Sequence, residues 1–319
     1  MSLNLGTSKD AGTATEGSRL CPIVMACDER FAMPLATALR SLYENNKRHW
    51  PIQVHILTDR FSQDMRQRVS DSLPGGAADL RWVEADVELF RTYPLPQQFT
   101  PISLARLSIP QLFSGTARRV LYLDADLLVL GDLEELCNMD MGNAPIAAVI
   151  DSCIDPDFKA GRIERWPGVP KVENYFNSGV LLFDIDVCIR HELTRQAMDY
   201  LSTHKTSPYP DQNALNVACD RAWKVLDSRW NFQGHYLIPT AVDKLPASQR
   251  PVIAHFITVN KPWTPGYRSV NARLYNHYRK RTRFRRSFSD IVIDVIESLR
   301  SRVRLRSRLR RVLYPAQGA

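Results

Sequence analysis

The chain has 319 residues, 44% of them hydrophobic, and a formal net charge of +8. This is enough for one full core, and one large domain with an appendage is favoured over two equal domains. No apolar run reaches the roughly 18 residues that a membrane-spanning helix needs. The charge is uneven, since the segment from Arg279 to Arg311 holds thirteen Lys or Arg against three acids and the rest of the chain is slightly acidic.

The two ends of the chain differ from its middle. Residues 1–20 are rich in small and polar residues and lack an apolar signal core, which predicts a flexible leader and argues against secretion. The six cysteines show no C-x-x-C spacing, which is typical of reduced thiols in a cytosolic protein. Composition and charge divide the chain into a leader at 1–20, a main folded domain at 21–275 and a basic tail at 276–319.

Strand and helix patterns alternate through the middle of the chain. The helix signals are apolar positions at three- and four-residue spacing, as in Leu35, Leu39 and Leu42, and the segments 63–73, 102–113 and 193–201 also carry helix signals. Pro110 must kink the helix predicted at 102–113 or mark its first turn. The predicted strands are 21–27, 52–57, 80–83, 120–123, 127–130, 146–150, 180–183 and 252–256. This order predicts an α/β fold with a mostly parallel central sheet flanked by helices, and ligands at the carboxyl ends of its strands.

Two carboxylates interrupt the strongest apolar run. Asp124 and Asp126 follow the strand 120–123 and would project to the same side of an extended backbone. Carboxylates beside an apolar core need a cationic partner, so the pair favours a divalent metal. Two kinds of site use such a pair: a metal site that clamps a diphosphate, and a phosphatase of the haloacid-dehalogenase type.

His255 adds a third possible ligand. It lies in a predicted strand six residues before Lys261-Pro-Trp263. One imidazole with two carboxylates forms a mixed donor set that suits Mn²⁺ over Ca²⁺, and a nearby Lys supplies a charge for phosphate. The chain has no G-x-x-x-x-G-K-S/T or G-x-G-x-x-G loop, so neither an ATPase nor a dinucleotide enzyme is indicated.

Six motifs in order extend this set. Together they resemble glycosyltransferase family 8, and within it the bacterial lipopolysaccharide α-galactosyl- and α-glucosyltransferases. They run from about Cys21 to Trp263 and are Ala26-Cys-Asp28, Ala105-Arg-Leu107, Leu121-Tyr-Leu-Asp-Ala-Asp-Leu127, Phe176-Asn-Ser-Gly-Val180, Asp211-Gln212 with Leu215-Asn216, and His255 through Lys261-Pro-Trp263.

The resemblance implies a GT-A nucleotide-sugar-binding fold and a retaining hexosyltransferase. It would move galactose or glucose from UDP-galactose or UDP-glucose to a saccharide or lipid-linked acceptor. Mn²⁺ (or Mg²⁺) would be held by Asp124, Asp126 and His255. Ala26, Asp28, Ala125 and Lys261 would bind the nucleotide, and the sugar pocket would be formed by Arg106, Asp151, Asn177, Gly179, Asp211 and Gln212.

Catalysis under this resemblance would involve Gln212 and Asp211. Gln212 is a poor nucleophile, so we favour front-face attack by the acceptor while the diphosphate leaves, with Asp211 as the alternative nucleophile. The residues alone are equally compatible with Asp211 as a helix N-cap. The chain departs from the family pattern at Arg30, Asn213 and Thr258, and the β-branched Thr258 narrows the approach of backbone to phosphate where Gly is usual.

The Arg-rich tail carries an apolar stripe at helical spacing. An apolar stripe beside a dense Arg face is typical of a helix on an anionic membrane surface, so we expect membrane association and no nucleic-acid partner. The resemblance to bacterial transferases, whose lipid-linked acceptors lie at the inner face of the membrane, implies a peripheral protein on the inner face of a bacterial cytoplasmic membrane. Packing on its own domain is the other interpretation that we keep, beside a nucleic-acid patch. For the whole chain, the alternatives are the phosphatase and a non-catalytic basic adaptor that only keeps the fold.

Overall fold

The computed structural model describes residues 20–75, 78–97, 99–233, 242–257, 260–265, 267, 269, 271–289, 292–293 and 296. The leader predicted at 1–20 lies outside these residues except for Leu20, which packs against the core. Of the tail, nothing after residue 296 is described. None of the described helices is long and apolar enough to cross a membrane.

Strands and helices alternate as the sequence patterns predict. The strands are β1 (Ile23–Ala26), β2 (Ile52–Thr58), β3 (Ala78–Glu84), β4 (Arg119–Leu123), β5 (Leu127–Val129), β6 (Ile146–Ile150), β7 (Phe176–Asp184), β8 (Lys224–Val225) and β9 (Ile253–His255). The helices are α1 (Ala32–Asn45), α2 (Gln63–Ser70), α3 (Glu88–Arg91), α4 (Ile109–Phe113), α5 (Glu134–Cys137), α6 (Ile154–Lys159), α7 (Ile185–Arg190), α8 (Leu193–Thr203), α9 (Pro210–Ala218) and α10 (Ala272–Arg279).

Seven strands form one mixed, mostly parallel sheet in the order β3-β2-β1-β4-β7-β6-β8. Strands β3, β2, β1 and β4 are parallel, β7 is antiparallel to both β4 and β6, and β8 is parallel to β6. Alternate residues of β4 enter two different apolar clusters, with Leu121 and Leu123 in one and Val120 and Tyr122 in the other. The sheet is therefore covered on both faces, and the predicted α/β class is confirmed.

A second, two-stranded sheet pairs β5 with β9 in antiparallel register. Leu127 lies opposite His255, and the N–H of Phe256 donates to the carbonyl of Asp126 at 3.0 Å. This pairing joins the segment that follows β4 to a strand that is far away in sequence. It brings His255 beside the pair of carboxylates.

Four local expectations need correction. Segment 102–113 is a 3-10 helix (Pro101–Ser108) followed by α4, with Pro110 in the first turn of α4. Helix α2 ends at Ser70 rather than residue 73, and the motif Asn177-Ser-Gly179 lies inside β7 instead of preceding it. Residues 125–126 form a turn, so the carboxylate pair is not on extended backbone.

The domain boundary predicted after residue 275 falls inside α10. Helix α10 packs on α1, and Tyr278 and Phe284 are each 8% exposed. Phe284 belongs to the same apolar cluster as β1 and α1. The folded domain therefore extends to Phe284, and for residues 276–284 the interpretation of packing on the chain's own domain is correct.

Candidate active site

The turn after β4 is fixed from both sides by backbone hydrogen bonds. The N–H of Asp124 donates to the carbonyl of Gly179 in β7 at 2.8 Å, and the carbonyl of Asp126 accepts from Phe256 after β9. Strands from three parts of the chain thus set the direction of the two carboxylates. No side chain is needed to hold this part of the backbone.

Three side chains meet at this turn. The Nε2 atom of His255 lies 3.1 Å from Asp126 Oδ1 and 3.7 Å from Asp124 Oδ2. One ligand atom from each residue lies within 4.8 Å of the others. Since these distances are short enough for one small cation to touch all three atoms, the group is a candidate metal centre.

The hydrogen bonds around His255 determine which ring nitrogen is free to bind a cation. The amide of Asn231 donates from Nδ2 to Asn177 Oδ1 at 2.9 Å, so its Oδ1 is turned towards His255 Nδ1, 3.0 Å away. That oxygen can only accept, which places a proton on Nδ1 and a lone pair on Nε2. The imidazole therefore presents an electron pair to two carboxylate oxygens.

These residues fit a divalent metal. Two carboxylates and an imidazole lone pair pointing at one place repel each other unless a cation lies between them. Oxygen and nitrogen donors of this kind suit Mn²⁺ or Mg²⁺ better than soft ions that prefer thiolates.

Gly179 makes this approach possible. A Cβ atom at position 179 would lie 2.1 Å from His255 Cε1 and 2.8 Å from Asp124 Oδ2. Both distances are far below ordinary contact, so only glycine leaves room for the imidazole and the carboxylate. Its role in this structure is to make space for the side chains of Asp124, Asp126 and His255, which we call the ligand cluster.

Lys261 closes the cluster on the side of Asp126. Its Nζ lies 2.6 Å from Asp126 Oδ2 and 2.6 Å from the carbonyl of Phe256. Burial raises the pKa of Asp126, but the charge of Lys261 and its hydrogen bond to the carboxylate oppose this and hold that pKa well below its usual range. Asp126 is therefore ionised at physiological pH.

Arg106 links the carboxylate pair to α9. Its guanidinium lies 2.9 Å from Asp124 Oδ1 and 3.1 Å from Asp211 Oδ2, and it lies over the ring of Tyr122 at 4.5 Å. Tyr122 also donates its O–H to Asp124 Oδ1 at 2.7 Å.

Burial raises the pKa of Asp211 and the charge of Arg106 opposes this, leaving the pKa above its ordinary value. The predicted N-cap role of Asp211 is wrong, because α9 begins at Pro210 and the carboxylate is used by Arg106.

Gln212 lies in a buried amide network. Its Oε1 accepts from the N–H of Ser178 at 2.9 Å, and its Nε2 lies 3.4 Å from Asp151 Oδ2 and 3.3 Å from the hydroxyl of Tyr175. Asp151 Oδ1 accepts from two backbone N–H groups at the start of α6. Asn177 donates to Asp151 Oδ2 at 3.3 Å. This network holds the side-chain amide of Gln212 in one orientation.

A single cavity of about 770 Å³ connects these groups. Eight of the nine predicted metal and sugar-pocket residues, all except Gly179, line it together with Lys261 and aromatic side chains. The lining residues are Phe31, Phe99, Arg106, Asp124, Asp126, Asp151, Cys153, Ile154, Trp166, Asn177, Ser178, Tyr209, Asp211, Gln212, His255, Ile257, Lys261, Trp263 and Thr264.

Of the predicted nucleotide-binding residues, Lys261 lines this cavity, whereas Ala26, Asp28 and Ala125 are not among its lining residues. Asp28 follows β1 and forms an ion pair with Arg30 at 2.8 Å, while Phe31 supplies the cavity wall at this strand end. Ala26 ends β1, and Ala125 is 5% exposed in the turn between the carboxylates. Arg30, which departs from the family pattern, thus forms its ion pair with the carboxylate that was predicted to bind the nucleotide.

The chain also departs from the family pattern at Asn213 and Thr258, and the structure describes only the first of these. Asn213 is fully buried, accepts from the hydroxyl of Tyr175 and donates to Ser207 Oγ at 2.7 Å. It is a structural residue that supports the amide network from behind. Thr258 lies outside the described residues.

Three residues of this site were not predicted from the sequence. Asn231, Tyr122 and Trp166 each contact a group at the cavity or line it, but a single Asn, Tyr or Trp is common in any core. For Tyr122 the alternation along β4 was a signal, since it points to the same side as Asp124. Asn231 and Trp166 become recognisable only when distant segments are brought together.

Comparison with known proteins agrees with this geometry. A model of glycosyl transferase family 8 matches residues 22–265, which is more than half of the chain. The chain belongs to glycosyl transferase family 8. This membership confirms the resemblance found in the six motifs, and it removes the phosphatase alternative.

Relatives and solved structures extend over most of this family 8 chain. General stress protein A of Bacillus subtilis is 25% identical over 279 residues, covering 82% of this chain and 94% of its own. The lipopolysaccharide 1,3-galactosyltransferase of Salmonella typhimurium is 26% identical over 255 residues, covering 76% and 72%. The crystal structure of the galactosyltransferase LgtC with donor and acceptor sugar analogs is 26% identical, covers 82% of this chain and 96% of its own, and has a TM-score of 0.69. The predicted GT-A fold is thereby confirmed.

We expect Gly179→Ala to disrupt the ligand cluster. The added methyl would push His255 and Asp124 apart, costing about 1–3 kcal/mol of stability and weakening Mn²⁺ binding. Thermal melts with and without Mn²⁺ measure both effects. Gly75→Ala is the matched control, because a Cβ there meets nothing within 4 Å. Equal Mn²⁺-dependent shifts in both variants would contradict the role given to Gly179.

We expect Asn231→Leu to weaken Mn²⁺ binding roughly 10- to 100-fold, because the imidazole loses the acceptor that sets its tautomer. Titration of free Mn²⁺ by electron paramagnetic resonance measures the affinity directly. Asn231→Asp keeps an oxygen acceptor for Nδ1 and should retain most of the affinity. Unchanged binding in the Leu variant, with its fold verified by circular dichroism, would show that Asn231 has no such role.

Proposed function

We propose that this chain transfers a hexose from a UDP-sugar to a saccharide or glycolipid acceptor, with retention of configuration and with Mn²⁺ or Mg²⁺. The observation that carries the proposal is the cluster of Asp124, Asp126 and His255, with Lys261 beside it, on the wall of one cavity. A cavity with several charged groups converging on one point is the usual form of a catalytic site.

The leaving group in this reaction is a nucleoside diphosphate. Asp124, Asp126 and His255 would hold the ion, which supplies positive charge to the diphosphate when it is bound. Lys261 would add a second charge by turning from Asp126 to a phosphate oxygen. Asp28, Ala26 and Ala125 would bind the nucleoside end, and for Asp28 this requires its partner Arg30 to share the carboxylate.

The hexose would lie between the ion and α9. Arg106, Asp151, Asn177 and Asp211 would orient its hydroxyl groups, and all four are at most 7% exposed. Gly179 would act by leaving space for the ligand cluster. Relatives named lipopolysaccharide 1,3-galactosyltransferase and lipopolysaccharide 1,2-glucosyltransferase support a hexose donor and a lipopolysaccharide-type acceptor.

Front-face attack is the mechanism that the contacts favour. Asp211 is 2% exposed and its carboxylate is 3.1 Å from the guanidinium of Arg106, an ion pair that makes it a weaker nucleophile. The amide of Gln212 is held towards the cavity and cannot form a stable glycosyl ester. The acceptor hydroxyl would then attack from the side of the leaving group, and a departing phosphate oxygen would take its proton.

Hydrolysis of UDP-galactose or UDP-glucose in the presence of Mn²⁺ tests this proposal. We expect the parent chain to release UDP and Asp126→Ala to lose at least about 100-fold in rate, because the charge on the leaving group is then poorly stabilised. The control is Asp79→Ala in the same assay, since it removes a carboxylate that lies on the edge strand β3 and pairs with Arg81. It shows whether loss of a carboxylate outside the site also lowers the rate. A parent chain that turns over neither donor would support the non-catalytic adaptor instead.

We further propose that the tail places the enzyme on the inner face of the cytoplasmic membrane, without a nucleic-acid partner. Phe288 is 82% exposed and Ile293 is 49% exposed, with Val292 and Ile296 also exposed beside them. Arg283 and Arg285 lie just before this apolar group and are exposed. Each Arg near an anionic surface contributes about 1 kcal/mol before screening.

We expect the double variant Phe288→Ser, Ile293→Ser to bind phosphatidylglycerol vesicles at least about tenfold more weakly than the parent in a sedimentation assay, because it loses most of the apolar contact. Ile189→Ser is the control, since Ile189 is 38% exposed on α7, outside the tail. Equal binding by all three chains would rule out this surface as the contact.

A further inference from the structure

The loop between β6 and β7 contains a carboxylate clamp that the family motifs do not include. Asp157 in α6 is 6% exposed, although it lies in a surface loop. Its Oδ1 accepts from Arg162 Nε at 2.8 Å and from Arg165 Nη1 at 3.1 Å. Its Oδ2 accepts from the indole Nε1 of Trp166 at 2.8 Å.

The clamp holds Trp166 at the wall of the active-site cavity. Trp166 packs against a small apolar cluster of Ile154, Val169 and Tyr175, and Tyr209 packs against the same cluster. Both Trp166 and Tyr209 line the cavity. Because the indole N–H already donates to Asp157, what remains for a ligand is the apolar ring itself.

The sheet order determines which part of the substrates this wall can reach. The loop follows β6, which is separated from β4 and its carboxylates by β7, whereas β1 with Asp28 lies on the other side of β4. A donor bound as proposed would have its nucleoside towards β1, its diphosphate at Asp124, Asp126 and His255, and its hexose beside Asp151. The loop that continues from β6 would then lie beyond the hexose, where the second substrate would approach.

We propose that Trp166, positioned by Asp157, is the stacking surface for a pyranose ring of the acceptor. This inference rests on the proposed function. A pyranose has an apolar face of C–H groups. An aromatic ring whose N–H is already hydrogen-bonded within the protein is complementary to that face. Asp157 acts as a positioning residue, because its contacts with Arg162 and Arg165 fix the indole in place.

The test compares transfer with hydrolysis on the full chain with Mn²⁺ and UDP-galactose or UDP-glucose. Methyl β-D-galactopyranoside and methyl β-D-glucopyranoside are the ring acceptors, and glycerol is the hydroxyl acceptor without a ring. We expect at least one pyranoside to be glycosylated by the parent and glycerol to be glycosylated far less. Failure of both pyranosides, or equal transfer to glycerol, would overturn the inference.

Variants assign the effect to the indole. Trp166→Leu should lower the ratio of transfer to hydrolysis about tenfold, mainly by raising KM for the pyranoside, because stacking and ring burial are lost. Trp166→Phe should restore the ratio to within about threefold of the parent, since it keeps an aromatic ring. A ratio that does not change in the Leu variant would overturn the proposal, and the hydrolysis rate shows in the same experiment that the variant is folded.

Asp157→Asn tests the clamp against a matched acid on the same helix. Asp155 is also buried and pairs with Lys159, but it accepts from the N–H of Tyr175 and does not touch Trp166. We expect Asp157→Asn to raise the acceptor KM about threefold or more and Asp155→Asn to raise it less. Equal effects would show a general loosening of the loop and would overturn the positioning role. Absence of UDP-sugar hydrolysis by the parent would instead count against the proposed function.

Discussion

The electrostatic balance around the turn after β4 is the constraint on which the rest of the site depends. Asp124, Asp126 and Asp211 bring three carboxylates into a poorly solvated space, where Arg106 and Lys261 supply two positive charges. One negative charge is left over, and the lone pair of His255 adds to it. Such an excess is costly next to an apolar core, so the charge balance of this site favours the binding of a cation.

Much of the fold could be predicted because its information is local. Buried strands such as β2 and β6 are short apolar runs, and α1 shows its buried face in the spacing of Leu35, Leu39 and Leu42. The pairing of β5 with β9 could not be predicted in this way. Both segments were predicted as strands from their local patterns, but they lie far apart in sequence, so no local pattern shows that they pair with each other.

The site was predictable to a smaller extent, and the failures have physical causes. Asp124, Asp126 and His255 could be grouped by chemistry and by the order of the family motifs. Asp211 suits a helix N-cap locally, but a buried Arg106 competes for the same carboxylate and the tertiary ion pair prevails. The space that Gly179 leaves and the acceptor that Asn231 offers exist only after β7 and β9 have come together, so neither can be found from spacing along the chain.

The reversed direction of β7 explains how one sheet edge can hold so many groups. In a purely parallel sheet only the carboxyl ends of strands reach the ligand edge, each followed by a loop. Because β7 is antiparallel to β4 and β6, its first residues reach that edge instead. The backbone of Ser178 and Gly179 then serves three partners there: Ser178 donates to Gln212, its carbonyl accepts from Arg106 at 2.9 Å, and the carbonyl of Gly179 accepts from Asp124. A strand fixed by hydrogen bonds on both sides holds these partners more rigidly than a loop could. The front-face attack proposed above would need such rigidity, because the attacking hydroxyl and the leaving phosphate would then share one face of the sugar.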